Sequence, residues 1–107
     1  MALLKNLNAG FIFLCFLCVE LVSGIPCPRS CRCHHKSIDC SFRNLFHVPK
    51  DLPKDTEKLD LQGNNITIIR RSDFQGMKQL RILQLLDNQI YSIEKGSFND
   101  LVSMMRV

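Results

Sequence analysis

The residues with the most chemistry to offer in this 107-residue sequence are its cysteines and histidines, and most of them are bunched together. Cys27, Cys31, Cys33 and Cys40 fall in one short stretch, with His34 and His35 directly after Cys33 and His47 a little further on. Cysteine and histidine are zinc ligands. However, Cys31-Arg-Cys33-His34-His35 crowds four ligands too tightly for a tetrahedral site, and no second ligand pair lies downstream. No metal is expected. The histidines have no nucleophile motif beside them, there is no glycine-rich phosphate loop, and no two carboxylates share a repeated spacing. No catalytic residue, no cofactor and no enzyme activity are therefore expected.

The four clustered cysteines acquire a role once the compartment is known. Lys5 is followed by the apolar run Phe11 to Val19, then Glu20, and small or apolar residues at Val22 and Gly24. This is the pattern of a secretory signal peptide over residues 1–24. A spanning helix needs about 18 or more apolar residues, and Glu20 interrupts this run too early, so no membrane span is expected. Cys15 and Cys18 leave with the leader, and so do Lys5 and Glu20, which leaves the net charge at +4. An even, clustered set of four cysteines entering an oxidising compartment reads as two disulfides, with three connectivities open. The protein is expected to be secreted to the extracellular space or matrix.

The remainder must position whatever binds, and it does so by repetition. Shifted by 24 residues, Leu59, Leu61, Asn64, Ile66, Ile69 and Phe74 meet Leu83, Leu85, Asn88, Ile90, Ile93 and Phe98. A fixed period with L-x-x-L-x-L-x-x-N-x-I is the signature of a leucine-rich-repeat solenoid. The expected fold is of the α/β type, with short parallel strands on the concave face. Leu59 and Leu61 alternate and share the inner face. Lys58, Asp60 and Gln62 then look outward, as do Ile82, Gln84 and Leu86 in the next coil, and these six are the candidate binding residues. Asn64 and Asn88 fall where each strand turns away, where a buried amide can pair the open backbone groups of neighbouring coils. Phe74 and Phe98 close the convex side.

Ahead of the repeats stands Cys27-Pro-x-x-Cys31-x-Cys33, Cys40, and Leu45-x-x-Val48-Pro49-x-x-Leu52-Pro53. A repeat array exposes its apolar end unless it is capped, and a small stapled hairpin does that. This pattern resembles the N-terminal cysteine-rich cap of extracellular leucine-rich-repeat proteins. The resemblance implies pairing of first with third and second with fourth cysteine, that is Cys27–Cys33 and Cys31–Cys40. The domains expected are the cap at 25–55, repeats at 56–79 and 80–103, and an uncompleted third repeat at 104–107. Such an edge is expected to leave much of the second coil open to water, and the isolated chain to fold poorly.

A narrower likeness runs through Thr56-Glu57-Lys58-Leu59-Asp60-Leu61-Gln62-Gly63-Asn64-Asn65-Ile66-Thr67-Ile68-Ile69, Asp73-Phe74-x-Gly76 and Ile93-Glu94-x-Gly96-x-Phe98-x-Asp100-Leu101. These segments resemble the first leucine-rich domain of the Slit guidance proteins, over residues 27 to 103. The resemblance implies a secreted ligand of Roundabout receptors in axon guidance and cell migration, assisted by heparan sulfate. In that family receptor contact belongs to a second leucine-rich domain, which is not in this sequence, so no receptor-binding residue carries over. The alternative is a structural matrix protein of the small-proteoglycan kind, using its concave face on collagen.

Two surface features complete the expectations. Asn65-Ile66-Thr67 is an N-x-T sequon, usable on the secretory pathway, so Asn65 is expected to carry an N-glycan. Arg70-Arg71, with Arg29, Arg32 and Lys36 in the cap, can attract polyanions, which outside the cell means heparan sulfate rather than nucleic acid. The cysteine reading is checked directly. Intact mass of secreted material, alkylated with and without reduction, should show all four mature cysteines oxidised; a free thiol at Cys27 or Cys40 would rule the cap out.

Overall fold

A computed structural model describes residues 27–106; the signal peptide assigned to residues 1–24 lies outside the described residues. The chain opens with strands β1 (Arg32–His34) and β2 (Ser37–Asp39), an antiparallel hairpin turning at His35-Lys36. Strands β3 (Lys58–Asp60) and β5 (Ile82–Gln84) follow, separated by the two-residue β4 (Ile68–Ile69) and a 3-10 turn over Arg71–Phe74. A second two-residue strand, β6 (Ser92–Ile93), pairs with β4 in parallel. The main sheet runs β1-β2-β3-β5, with β2, β3 and β5 parallel.

Among the described residues the chain returns from the concave strands without an α-helix, through the paired β4 and β6 and the 3-10 turn. The local sequence explains this. Ile66, Thr67, Ile68 and Ile69 are four β-branched residues in succession, stiff at χ1 and suited to extended backbone. The turn that follows is short and closed by Asp73, whose carboxylate accepts the Arg70 N–H at 2.8 Å.

The cap belongs to the solenoid more closely than its cysteines suggest. β2 lies beside β3 with Ile38 opposite Leu59, and Leu59 opposite Leu83, so all three point into one core. Ile38, Cys40, Leu45 and Val48 stand in the places of Leu59, Leu61, Ile66 and Ile69, at an offset of 21 rather than 24. The hairpin therefore supplies a concealed first coil. The disulfides run Cys27–Cys33 and Cys31–Cys40, the latter delivering Cys40 into the core with no exposed surface.

Leu59, Leu61, Ile66, Ile69, Phe74, Met77, Leu80 and Leu83 are wholly buried. The equivalent residues of the second coil are less covered. Leu85 and Ile90 are half-buried, and Phe98 is 38% exposed, in line with the open edge expected for the second coil. Its ring stacks on Phe74 at 6.0 Å, so it is covered on the side of the first coil alone. In a one-dimensional array each unit is buried by its two neighbours. The last β-bridge, Ile82 to Arg106, covers only the strand side of the second coil.

Asparagine amides tie the coils together. Asn64 is 4% exposed; its Oδ1 accepts the N–H groups of Arg43 and Leu45, both at 3.0 Å. Its Nδ2 donates to the carbonyls of Cys40 and Leu61, both at 2.9 Å. One amide thus pairs backbone groups of two coils. Asn88 repeats the pattern one coil on, accepting from Ile66 at 3.0 Å and donating to Leu61 at 2.8 Å and Leu85 at 3.1 Å. Each buried backbone group left unpaired costs about 1–3 kcal/mol. Asn64→Leu, similar in size, should therefore cost about 3 kcal/mol or more in urea unfolding, and Asn88→Leu, half-exposed, distinctly less. Equal losses below about 1 kcal/mol would remove the amides from the account of the fold.

Candidate functional site

Because Ile38, Leu59 and Leu83 face inward, their strand neighbours face out on the concave side. The register sorts these into rows. Arg32, Asp39, Asp60 and Gln84 are consecutive partners across the four strands. His34, Ser37, Lys58 and Ile82 form the parallel row, extended by Arg106 at the bridge to Ile82. Strands lie about 4.8 Å apart, so each row is a track crossing the sheet. One track carries two adjacent carboxylates between Arg32 and an amide, and the other carries Lys58 and Arg106 with His34, Ser37 and the apolar Ile82. Gln62 and Leu86 continue the surface past the strand ends, Gln62 half-buried and Leu86 68% exposed.

Five of the six candidate binding residues thus line this face or its margin as polar or half-covered groups, and Leu86 adds an exposed apolar rim. The cap adds Arg32, Ser37 and Asp39 to the same surface. They were not among the residues assigned to the face because the hairpin was read as a cap and not as a strand of the sheet. The signal was present as Ile38-x-Cys40, the same alternation as Leu59-x-Leu61.

The carboxylates are held by their own turns. Asp39 Oδ1 accepts the Ser41 hydroxyl at 2.6 Å and the Ser41 N–H at 2.9 Å. These bonds, the hydroxyl first, hold its carboxyl below the ordinary aspartate range, with Arg43 and Arg32 adding to the effect. Asp60 Oδ1 accepts the Gln62 N–H at 3.0 Å in the same way. Both side chains are therefore held in place as acceptors by their own turns. At the rim Lys36 and Glu57 approach to 3.9 Å, both well exposed, a contact worth about 0–1 kcal/mol.

A second concavity lies on the other side, between the cap and the first coil. It is a groove of about 540 Å³ whose walls include His47, Lys50, Lys54 and Arg70, opposed by Asp51 and Asp73. Burial pushes the Asp73 carboxyl above its ordinary range, against the Arg70 N–H and guanidinium, which favour its charged form. The expected basic groups are not gathered in one place. Arg70 faces this groove, Arg71 turns its Nε to the Lys95 carbonyl at 3.1 Å, and Arg32 stands on the sheet.

Asn65 lies beyond both faces. It is half-buried, its N–H donates to the Leu45 carbonyl at 2.8 Å, and among the described residues its side-chain amide makes no hydrogen bond. Ile66 is fully buried and Thr67 half-buried. Cys27, Cys31, Cys33 and Cys40 are all joined in disulfides, and no group of three or more metal-ligating side chains occurs among the described residues. No helix among them is long and apolar enough to cross a membrane.

A capped stack of parallel strands with an asparagine at each turn defines a class. The leucine-rich repeat N-terminal domain matches residues 26–53 and the leucine-rich repeat family residues 54–106. The chain belongs to the leucine-rich-repeat proteins that carry an N-terminal cap. Particular relatives narrow the field further. The chain is 51% identical over 63 residues to decorin of Coturnix japonica and 45% identical over 67 residues to biglycan of Xenopus laevis, 59% of its length in each case. It is 34% identical over 99 residues, 89% of its length, to leucine-rich repeat-containing protein 3 of Danio rerio. The matches span only 18% of decorin and of biglycan, and 37% of the third. These relatives lend no support to the Slit resemblance, and the Roundabout and axon-guidance expectations lose their footing with it.

The Asp39 geometry has a measurable consequence. A carboxyl held down in the fold stabilises it above the unfolded midpoint, and that contribution is lost as pH falls through the lower folded one. Ser41→Ala, which keeps the N–H bond, should move the Asp39 midpoint part of the way back up in an NMR titration. An unchanged midpoint would mean that the hydroxyl does not hold the carboxylate.

Proposed function

We propose that this chain is an extracellular, non-catalytic binding module of the small-proteoglycan kind, glycosylated at Asn65, whose concave face takes a fibrous matrix protein such as collagen. The likeness to decorin and biglycan is the observation that carries this reading and favours it over a guidance ligand. The face has suitable chemistry for such a partner. A collagen triple helix is a straight rod whose polyproline-like chains present solvated carbonyls and regularly spaced side chains. Two parallel tracks, one with adjacent carboxylates and one with Lys58 and Arg106, can meet charges of both signs along a rod. Their groups are set on strands rather than loops, so little ordering is needed on contact.

Oligosaccharide transfer at the sequon joins the sugar's anomeric carbon to Asn65 Nδ2. A lipid-linked pyrophosphate donor supplies the oligosaccharide, and the lipid pyrophosphate and one amide proton are released. The unpartnered side-chain amide supports this assignment. Heparan sulfate is a second reading, favoured by the groove that gathers Lys50, Lys54 and Arg70 with His47. The disulfides and the cap fit the oxidising compartment outside the cell.

Binding of the secreted chain to immobilised fibrillar collagen tests the first reading, with a Roundabout ectodomain and heparin as comparison surfaces. Collagen binding should be saturable, and Asp39→Lys with Asp60→Lys should weaken it about tenfold, equivalent to about 1.4 kcal/mol. Retention on heparin should fall with Lys50→Glu and not with the two aspartate variants. Tighter binding to the Roundabout surface, or collagen binding indifferent to both aspartates, would overturn the matrix reading.

A further inference from the structure

Two phenylalanines lie in the open where the fold gives them no work. Phe42 is 67% exposed and Phe46 61%. Both belong to the coil concealed in the cap, ahead of the last coil's less covered residues, and the neighbouring coil already packs beside them. Phe42 also adopts φ 53°, a left-handed backbone that bulky side chains avoid. The equivalent positions of the next two coils are Gly63 at φ 73° and Asp87 at φ 57°, residue types that accept this conformation more readily. An aromatic held in a strained backbone and left in water invites a search for what covers it.

The backbone leading into the sequon runs beside these two residues. The Phe42 ring rests on Gly63 so closely that a Cβ there would collide with it. Two residues on, the Asn65 N–H bonds the Leu45 carbonyl at 2.8 Å, which sets Asn65 against the Leu45-Phe46 peptide. The segment Gly63 to Asn65 is thus flanked by one exposed phenylalanine near each end. Asn65 itself keeps a free side-chain amide among the described residues.

We propose that Phe46, assisted by Phe42, is a shelf for the first sugars of the Asn65 glycan, so that the glycan covers the apolar surface of the coil concealed in the cap. The chemistry is that of a pyranose laid on a ring. An N-acetylglucosamine has a face of C–H groups carrying slight positive charge, and an aromatic face is slightly negative. Stacking the two removes apolar area from water on both sides. The proposal rests on the glycosylation of Asn65 put forward above and goes on to say where that glycan lies.

The test uses the whole chain secreted from animal cells, as wild type, Phe46→Ala and Phe46→Tyr. Mass before and after enzymatic deglycosylation reads occupancy; no shift in the wild type defeats the glycosylation reading and the shelf with it. With the glycan present, its removal should lower the unfolding temperature of the wild type and of Phe46→Tyr alike, and that of Phe46→Ala much less. The N-acetyl methyl protons of the first sugar should also resonate upfield of those in an Asn65–Thr67 glycopeptide, an effect of the ring that Phe46→Leu should abolish. An occupied site whose removal costs all variants the same, or whose methyl resonance matches the free glycopeptide, overturns the shelf while leaving the glycosylation standing.

Discussion

Each coil of this solenoid must leave its concave strand through a sharp bend, and the bend strips backbone N–H and C=O groups of their sheet partners. They are buried there, so water cannot serve them. The side chain able to answer must offer donors and an acceptor from one small planar group, which is what an asparagine amide provides. Asn64 and Asn88 each bond backward to the previous coil and to their own. The spacing between coils, the register of Lys58 with Ile82 and hence the tracks on the concave face all follow from that pairing. The coil concealed in the cap has Arg43 at this position, and its guanidinium bonds instead to the carbonyls of Ser41 and Ser30. Its predecessor is the antiparallel β1, not another bend, and the longer side chain reaches the Ser30 carbonyl ahead of that strand.

The face built this way turns its outward residues to solvent while its inward residues carry the fold, and the two sets alternate along each strand. That division lets partner chemistry change without disturbing the core. Here it yields adjacent carboxylates at Asp39 and Asp60, each fixed by its own turn. The likeness to decorin and biglycan concerns the cap and repeats that set up this alternation, over a small share of those longer proteins.

Much of this was legible in the residues because leucine-rich repeats encode their geometry in period and spacing. The inward leucines, the turn asparagines and the outward set from Lys58 to Leu86 could all be read from a 24-residue offset. Two things could not. The concealed coil in the cap escaped because its offset is 21 and its turn carries Arg43. The form of the return path stayed open because the period fixes where the chain returns and not what it does on the way, which four successive β-branched residues decide. The Slit likeness arose from residues that make the scaffold, and scaffold residues are shared widely among repeat proteins.

Cys40 occupies two frames at once. It ends a disulfide that closes the hairpin, and it fills the core position that Leu61 fills one coil later. A stack whose units touch only their neighbours has no distant contact to correct a slipped register. The covalent bond at Cys40 therefore acts as a datum for the whole array. It fixes the height of the first strand against the hairpin, and each later coil is set against the one before it. The cap also precedes the repeats in the chain, so during synthesis the gauge block is laid down before anything has to be measured against it.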